Sequence, residues 1–244
     1  MYKQIQEQLL KLNQTFYQEF ADPFARSRGN PQPGFQQLIS HIPAKCARAL
    51  DVGCGEGRFG RFLLSVRPDI NYVGVDFSEE LLGHAGQSVP DGVFLQRNVS
   101  NAGSLGDLGT FGLVAILAVL QHIPGRQSRI RLLAELGQRL DGKGRLIVST
   151  WQFMDSARQR RKITGWHAAG IPTGAVEEND YLMTWRAGGE GLRYVAYIDR
   201  SEMDFLALHA GLTVVDSFRS DGLEGDLNLY TVLAQRRKGQ SHSS

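Results

Sequence analysis

The stretch LDVGCGEGRFG, residues 50–60, decides the fold. An apolar run ending in Asp51 and Val52 meets three glycines in five residues, Gly53, Gly55 and Gly57, and a helix-forming run follows from Arg58. Glycines at a strand-to-helix turn let the chain fold back sharply and leave bare N–H groups at a helix N-terminus, where a ligand can approach. Alone, such glycines also serve tight strand-to-helix packing. Gly55-x-Gly57-x-x-Gly60 further fits the dinucleotide fingerprint, and Asp76 lies about 20 residues on, at the end of NYVGVD, where a carboxylate can accept both hydroxyls of a ribose. Helix capping does not require Asp76, because Ser78 already supplies a cap.

Outward from that loop the chain alternates short apolar runs with helical stretches. Strands are expected at 48–53, 71–76, 93–96, 111–120 and 145–151, and helices at 58–66, from Ser78, and at 127–140, with DGKG as the turn before the fifth strand. Strand, helix, strand, helix predicts a parallel sheet with right-handed crossovers. Upstream, Tyr2, Ile5, Leu9, Leu12, Phe16 and Phe20 recur at helical spacing, so an N-terminal helix presents one apolar stripe. ADPFARSRGNPQPG stops it, and a short helix follows at 35–42. Residues 152–192 show no clean period and carry the basic and glycine-rich pieces SARQRRK and WRAGGEG, which predicts an insertion or lid over the C-terminal edge of the sheet. A last helix at 201–210, capped by Ser201 and ended by Gly211, precedes LTVVDSFRS and NLYTVLAQR, an antiparallel pair that closes the sheet.

The charge of the loop separates two ligand classes. Asp51 sits inside the strand two residues before the first glycine, where a fixed carboxylate would repel a diphosphate but suit a cation. No tyrosine is followed four residues later by lysine, so the short-chain dehydrogenase pair is absent. S-adenosylmethionine carries a sulfonium and an ammonium and no phosphate, and an acidic loop with Asp51 and Glu56 matches it.

Composition narrows the classes further. The 244 residues are 42% hydrophobic and 21% charged, with 27 Lys plus Arg against 25 Asp plus Glu, a balance unlike that of a polybasic nucleic-acid binder. Cys46 and Cys54 alone offer neither paired zinc spacings nor a disulfide framework, so no metal is expected and a reducing cytoplasm fits. No run of eighteen apolar residues and no apolar leader is present, so membrane association and export are not expected.

LDVGCGEGRF, with GVDFS after it and AILAVLQHI after the fourth strand, resembles the class I S-adenosylmethionine-dependent methyltransferases over residues 48–151. The resemblance implies a Rossmann-like, doubly wound, mostly parallel seven-stranded sheet with an antiparallel last strand. It implies S-adenosylmethionine as cofactor, with Gly53, Gly55 and Gly57 along its methionine part, Asp51 near the ammonium, Asp76 on the ribose and Asn98 on the adenine amino group. Asn98 stands where the family commonly has Asp.

A narrower resemblance, carried by FYQEFADPFARSR, RQSRIRLLAELGQRLDGKGRLIVSTWQF, DYLMTWR and GLRYVAYIDRSEMDFLALHAGLTVVDS, covers almost the whole chain. These stretches look like the tRNA wobble-uridine carboxymethyl methyltransferases. The chain departs from them in Gln121 before His122, Thr184 before Trp185, no Trp after Pro33, and no His after Arg193-Tyr194. The acceptor it implies is the carboxylate of a modified uridine in tRNA, with a small activating subunit as a candidate partner; a small organic acid or metabolite is the rival substrate, and a non-catalytic cofactor-binding subunit a remote one. An ionised carboxylate needs positioning and an arginine but no general base. The positioning candidates are His122, Arg193, Arg28, Tyr194 and Trp151, with Arg26, Trp185 and Tyr197 nearby. Arg158, Arg160, Arg161 and Lys162, with Arg236, Arg237 and Lys238, are candidates for phosphate contacts. One methyltransferase domain is expected over 1–236: a helical extension (1–47), a cofactor-binding core (48–151), the lid (152–197), and a C-terminal helix and strands (198–236). A disordered tail (237–244) follows.

Overall fold

Period-2 alternation in the strands divides the apolar residues of the chain between two faces of one sheet. In a computed structural model of the protein, which describes residues 1–22, 31–186 and 189–236, the strands are β1 (Arg48–Val52), β2 (Asn71–Asp76), β3 (Val93–Gln96), β4 (Phe111–Leu117), β5 (Leu140–Trp151), β9 (Leu212–Ser220) and β10 (Asn228–Gln235). Their order is β3-β2-β1-β4-β5-β10-β9, parallel from β3 to β5 and antiparallel on both sides of β10. This is the expected seven-stranded architecture with one reversed strand. Leu50, Val52, Val114, Ile116, Leu146 and Val148 face one cluster; Ala49, Leu113, Ala115 and Ile147 face the other, with Phe35, Phe59, Phe62 and Tyr230.

The helices are α1 (Lys3–Glu19), α2 (Pro33–Leu38), α3 (Arg58–Val66), α4 (Glu79–Ser88), α5 (Arg126–Gln138), α6 (Ala157–Arg160) and α7 (Arg200–His209). Ser78 caps α4 as expected, its Oγ accepting from Leu81 N at 3.3 Å. The cap of α7 is Asp199 rather than Ser201: its carboxylate is the acceptor for Glu202 N at 2.9 Å, two residues earlier than the sequence reading placed it.

Two strand boundaries also differ, and one segment holds strands that were not expected. β4 ends at Leu117, three residues early, because Ala118 adopts φ +57 and turns away while its N–H still donates to Ser149. DGKG lies inside β5, where a register shift against β4 absorbs it as a bulge. Residues 152–197, read as non-periodic, contain a three-stranded antiparallel sheet of β6 (Ile163–Thr164), β7 (Asp180–Trp185) and β8 (Gly191–Ala196). Leu182, Tyr194 and Ala196 from this sheet are fully buried in the main core.

α1 is fastened to β8 by one side chain. Asn13, itself buried, accepts from Tyr194 N at 2.8 Å and donates to Tyr194 O at 3.1 Å, as a neighbouring strand would, and reaches His122 O at 3.3 Å.

Candidate functional site

The turn from β1 to α3 opens on a cleft at the C-terminal ends of the parallel strands, where ligands bind in open α/β sheets. Its walls come from the glycine loop, from Asp76 and Phe77 after β2, from residues 97–100 after β3, from residues 117–119, 122 and 123 after β4, and from Leu10, Asn13, Gln14 and Tyr17 of α1. None of the described residues of 152–197 lines it.

The three loop glycines all have positive φ but face different surroundings. A Cβ on Gly55 would meet nothing within 4 Å, so this backbone lies open to the cleft. A Cβ on Gly53 would lie 2.3 Å from Val119 Cγ2, and one on Gly57 would crowd Ala85 and Val89 of α4. Gly57 does not line the cleft; it lets α3 approach α4.

Three carboxylates stand together at this end. Asp51 shares the face of Ala49, is 2% exposed, and accepts the Tyr72 hydroxyl at 2.6 Å. Burial lifts its pKa to about 7; the Tyr72 hydrogen bond pulls it back, and the nearby Asp76 and Glu56 carboxylates push it further up. Asp76 accepts Gly55 N and Ser78 N, both at 3.0 Å, and is also raised by burial against the lowering effect of those N–H groups. Glu56 is buried, and its Oε1 has no hydrogen-bond partner. Arg58 is the cation among them, pulled below its usual range by burial. Asn98 lines the cleft beyond β3, its Oδ1 accepting Ser100 N at 3.0 Å. An acidic wall with an orphaned carboxylate oxygen, beside a glycine that leaves space, fits a cationic ligand such as S-adenosylmethionine.

The opposite end is formed by His122 and α1. His122 Nδ1 lies 3.0 Å from Tyr194 O, which can only accept, so Nδ1 carries the hydrogen; Nε2 lies 2.9 Å from the Tyr17 hydroxyl. Tyr17 adjoins Arg193, which sits behind it with its guanidinium 4.9, 5.4 and 5.5 Å from the ring centres of Trp151, Trp185 and Phe16. Arg193 is 6% exposed, forms no ion pair among the described residues, and is pulled below its usual range by burial.

The fold does not bring every candidate to the cleft. Asp51, Gly53, Gly55, Asp76, Asn98 and His122 line it, whereas Arg193 and Trp151 lie one side chain behind the α1 wall. The Tyr194 hydroxyl is remote in a different sense: it donates to Asp180 at 2.6 Å and accepts from Arg129 at 3.1 Å inside the core. Arg26, Arg28, Arg237 and Lys238 fall outside the described residues. Sequence reading passed over Leu10, Asn13, Gln14 and Tyr17, whose signal was a second stripe at helical spacing beside the apolar one. Among the described residues, the metal-type donors Asp22, Glu80 and His84 come within 4.8 Å of one another on the exposed surface, and none of them lines the cleft. No helix among these residues is long and apolar enough to cross a membrane.

Comparison with known proteins agrees with this geometry. Residues 50–146 match a family model described as a methyltransferase domain. A trans-aconitate 2-methyltransferase of Afipia carboxidovorans is 33% identical over 67 residues, 27% of this chain and 26% of that one, so the chain matches only about a quarter of that relative's length. A protein of Encephalitozoon cuniculi, provisionally named a methyltransferase, is 27% identical over 82% of this chain and 87% of its own. A crystal structure of an S-adenosylmethionine-dependent methyltransferase from Clostridium acetobutylicum has a TM-score of 0.63 at 12% identity, covering 92% of this chain and 99% of that one. Residues 50–146 thus match a methyltransferase-domain model, and the chain has the fold of an S-adenosylmethionine-dependent methyltransferase.

Proposed function

We propose that the protein transfers a methyl group from S-adenosylmethionine to a carboxylate oxygen of a small organic acid. The observation that carries this reading is Arg193. A buried guanidinium without an anion destabilises a fold, so its retention beside the cleft-lining Tyr17 points to an anionic acceptor. Charge is divided along the cleft, with three carboxylates at the cofactor end and this cation behind the other end. S-adenosylmethionine, when bound, supplies a methyl on a sulfonium, and an ionised carboxylate attacks it without a base. The protein's part is positioning: Gly55 and the carboxylates hold the cation, with Asp76 for the ribose and Asn98 for the adenine. Arg193, with Tyr17 and His122, orients the acid, and Trp151 screens Arg193 from water. The short likeness to trans-aconitate methyltransferases supports an acid as acceptor.

A second reading, the carboxymethyl group of a wobble uridine in tRNA, rests on the sequence resemblance and on Arg158, Arg160 and Arg161, which are exposed beside Lys162 on and after α6. In that case the enzyme is cytoplasmic and a small activating subunit is a candidate partner. The test supplies methyl-labelled S-adenosylmethionine with either a pool of organic acids or carboxymethyluridine-containing tRNA. Base-labile label in the acid pool is expected. Label confined to tRNA establishes the second reading, and label in neither pool, with the cofactor bound, removes the carboxylate acceptor from both.

A further inference from the structure

The carboxylate reading leaves one group of the cleft without a task. His122 carries a basic nitrogen, and an ionised acid has no proton to give it. The turn after β4 nevertheless holds this ring in one tautomer. Tyr194 O, 3.0 Å from Nδ1, can only accept, so the ring hydrogen stays on Nδ1 and Nε2 keeps its lone pair. Asn13 secures the arrangement, donating to Tyr194 O at 3.1 Å and to His122 O at 3.3 Å.

Nε2 faces the Tyr17 hydroxyl at 2.9 Å, which directs the phenolic hydrogen at His122. The Tyr17 ring meets His122 and Phe77 edge-on, with centres 5.4 and 6.3 Å away. All three line the cleft, together with Leu10, Val119 and Ile123. With its hydrogen committed to Nε2, the Tyr17 oxygen meets a ligand as an acceptor. Two hydrogen bonds thus run in sequence from Tyr17 through His122 to a backbone carbonyl. Such a chain serves a ligand that must lose a proton to react.

We propose that the cleft also methylates a neutral phenolic hydroxyl, with Tyr17 and His122 as its proton relay. This rests on the reading of S-adenosylmethionine as cofactor, which supplies the methyl from its sulfonium. As the phenol oxygen bonds to the methyl carbon, the carbon–sulfur electron pair returns to sulfur. The phenolic proton passes to Tyr17 Oη, Tyr17's own proton passes to His122 Nε2, and the imidazolium later releases it to water. A phenol suits a relay ending in imidazole because its proton, with a pKa of about 10, is far more acidic than that of an alcohol. Its ring also suits the apolar walls of Leu10, Phe77, Val119 and Ile123.

The test supplies methyl-labelled S-adenosylmethionine with phenol or p-cresol and counts label that survives base, since an aryl methyl ether withstands the base that strips a methyl ester. Base-stable label is expected from the wild-type protein. Its transfer to the phenol, unlike transfer to an organic acid, is expected to slow in heavy water. His122→Gln is expected to lose at least about a hundredfold in the phenol reaction, with part of the rate restored by added imidazole, a rescue that a structural role would not permit. Absence of base-stable label, an equal rate in His122→Gln, no restoration by imidazole, or no slowing of the wild-type reaction in heavy water overturns the relay. The heavy-water arm stands even if the variant does not fold. Base-stable label in the phenol with none in the acid pool overturns the acid reading and keeps the relay. Failure of the wild-type protein to bind S-adenosylhomocysteine overturns the cofactor reading instead.

Discussion

At Gly53, Gly55 and Gly57 one residue type meets three demands, and substitution separates them. Gly55→Ala adds a methyl group where nothing lies within 4 Å, so the fold bears only the cost of a left-handed alanine, about 1–2 kcal/mol. It is expected to remain folded in urea titration and to lose at least about tenfold in cofactor affinity, because that methyl occupies ligand space. Gly53→Ala bears the same backbone cost and also drives a Cβ to 2.3 Å from Val119, so its loss appears mainly in stability. Equal stability losses in the two variants would contradict this division. Asp51 carries the pH dependence. With its pKa raised to about 7, the folded chain keeps a proton that the unfolded chain releases above about pH 4. The stabilisation from that neutral carboxyl is full below about 4 and is lost as the pH rises through about 7. A bound cation favours the ionised form, so cofactor affinity is expected to fall from about pH 8 to pH 6, with a proton released on binding near neutrality. Asp51→Asn, which keeps an acceptor for Tyr72, is expected to melt higher than wild type at about pH 8 while binding cofactor less well. A lower melting temperature would show that the ionised Asp51 stabilises the fold.

α1 is the element whose importance exceeds its sequence signal. Its apolar stripe is plain, and Leu9 and Phe16 are buried as the spacing requires. The polar residues beside that stripe read as a solvent face, yet Asn13 pairs with the edge of β8 and Tyr17 walls the cleft. Only the tertiary position of an edge strand makes an asparagine necessary there. Asn13→Ala leaves the N–H of Tyr194 without its partner and its C=O with His122 Nδ1 alone, and a loss of about 1–3 kcal/mol in urea unfolding is expected; a change below about 0.5 kcal/mol would mean that water replaces the side chain. β1 and β2 were legible because their apolar runs end at Gly53 and Asp76. β7 and β8 were not, because both faces are packed: Leu182 and Tyr194 meet the main core while Met183 and Val195 meet a second cluster. Strands buried on both faces, and carrying Asp180 and Arg193 as well, show no alternation of apolar and polar residues. The glycine-loop end of the cleft was readable because its glycines and acids lie close together in the chain, whereas the opposite end is assembled from α1 and the turn after β4, with β8 behind them.

At the scale of the whole molecule, β8 joins the cleft to the core, and consecutive residues on it point to opposite sides. Tyr194 turns toward α5, where its hydroxyl joins Asp180 and Arg129 in a buried network that also takes in Glu177. Arg193 turns toward the aromatic rings and Tyr17. The two side chains therefore differ in what each costs or contributes. Tyr194→Phe removes a donor from Asp180 and an acceptor from Arg129 in a site that water does not reach, so stability is expected to fall by about 1–3 kcal/mol while kcat/KM for the acceptor stays within about twofold. Arg193→Met removes a buried charge that has no anion and replaces it with an apolar chain among three rings; thermal stability is expected to hold or rise. In the same variant, methyl transfer at saturating cofactor should fall at least about a hundredfold with S-adenosylhomocysteine affinity intact, because only the acceptor loses its cation. Destabilisation of Arg193→Met with turnover unchanged would make Arg193 a packing residue and remove the argument for an anionic acceptor. The opposite pair of outcomes would mean that the fold tolerates an unpaired cation because substrate, in each catalytic cycle, completes the pair.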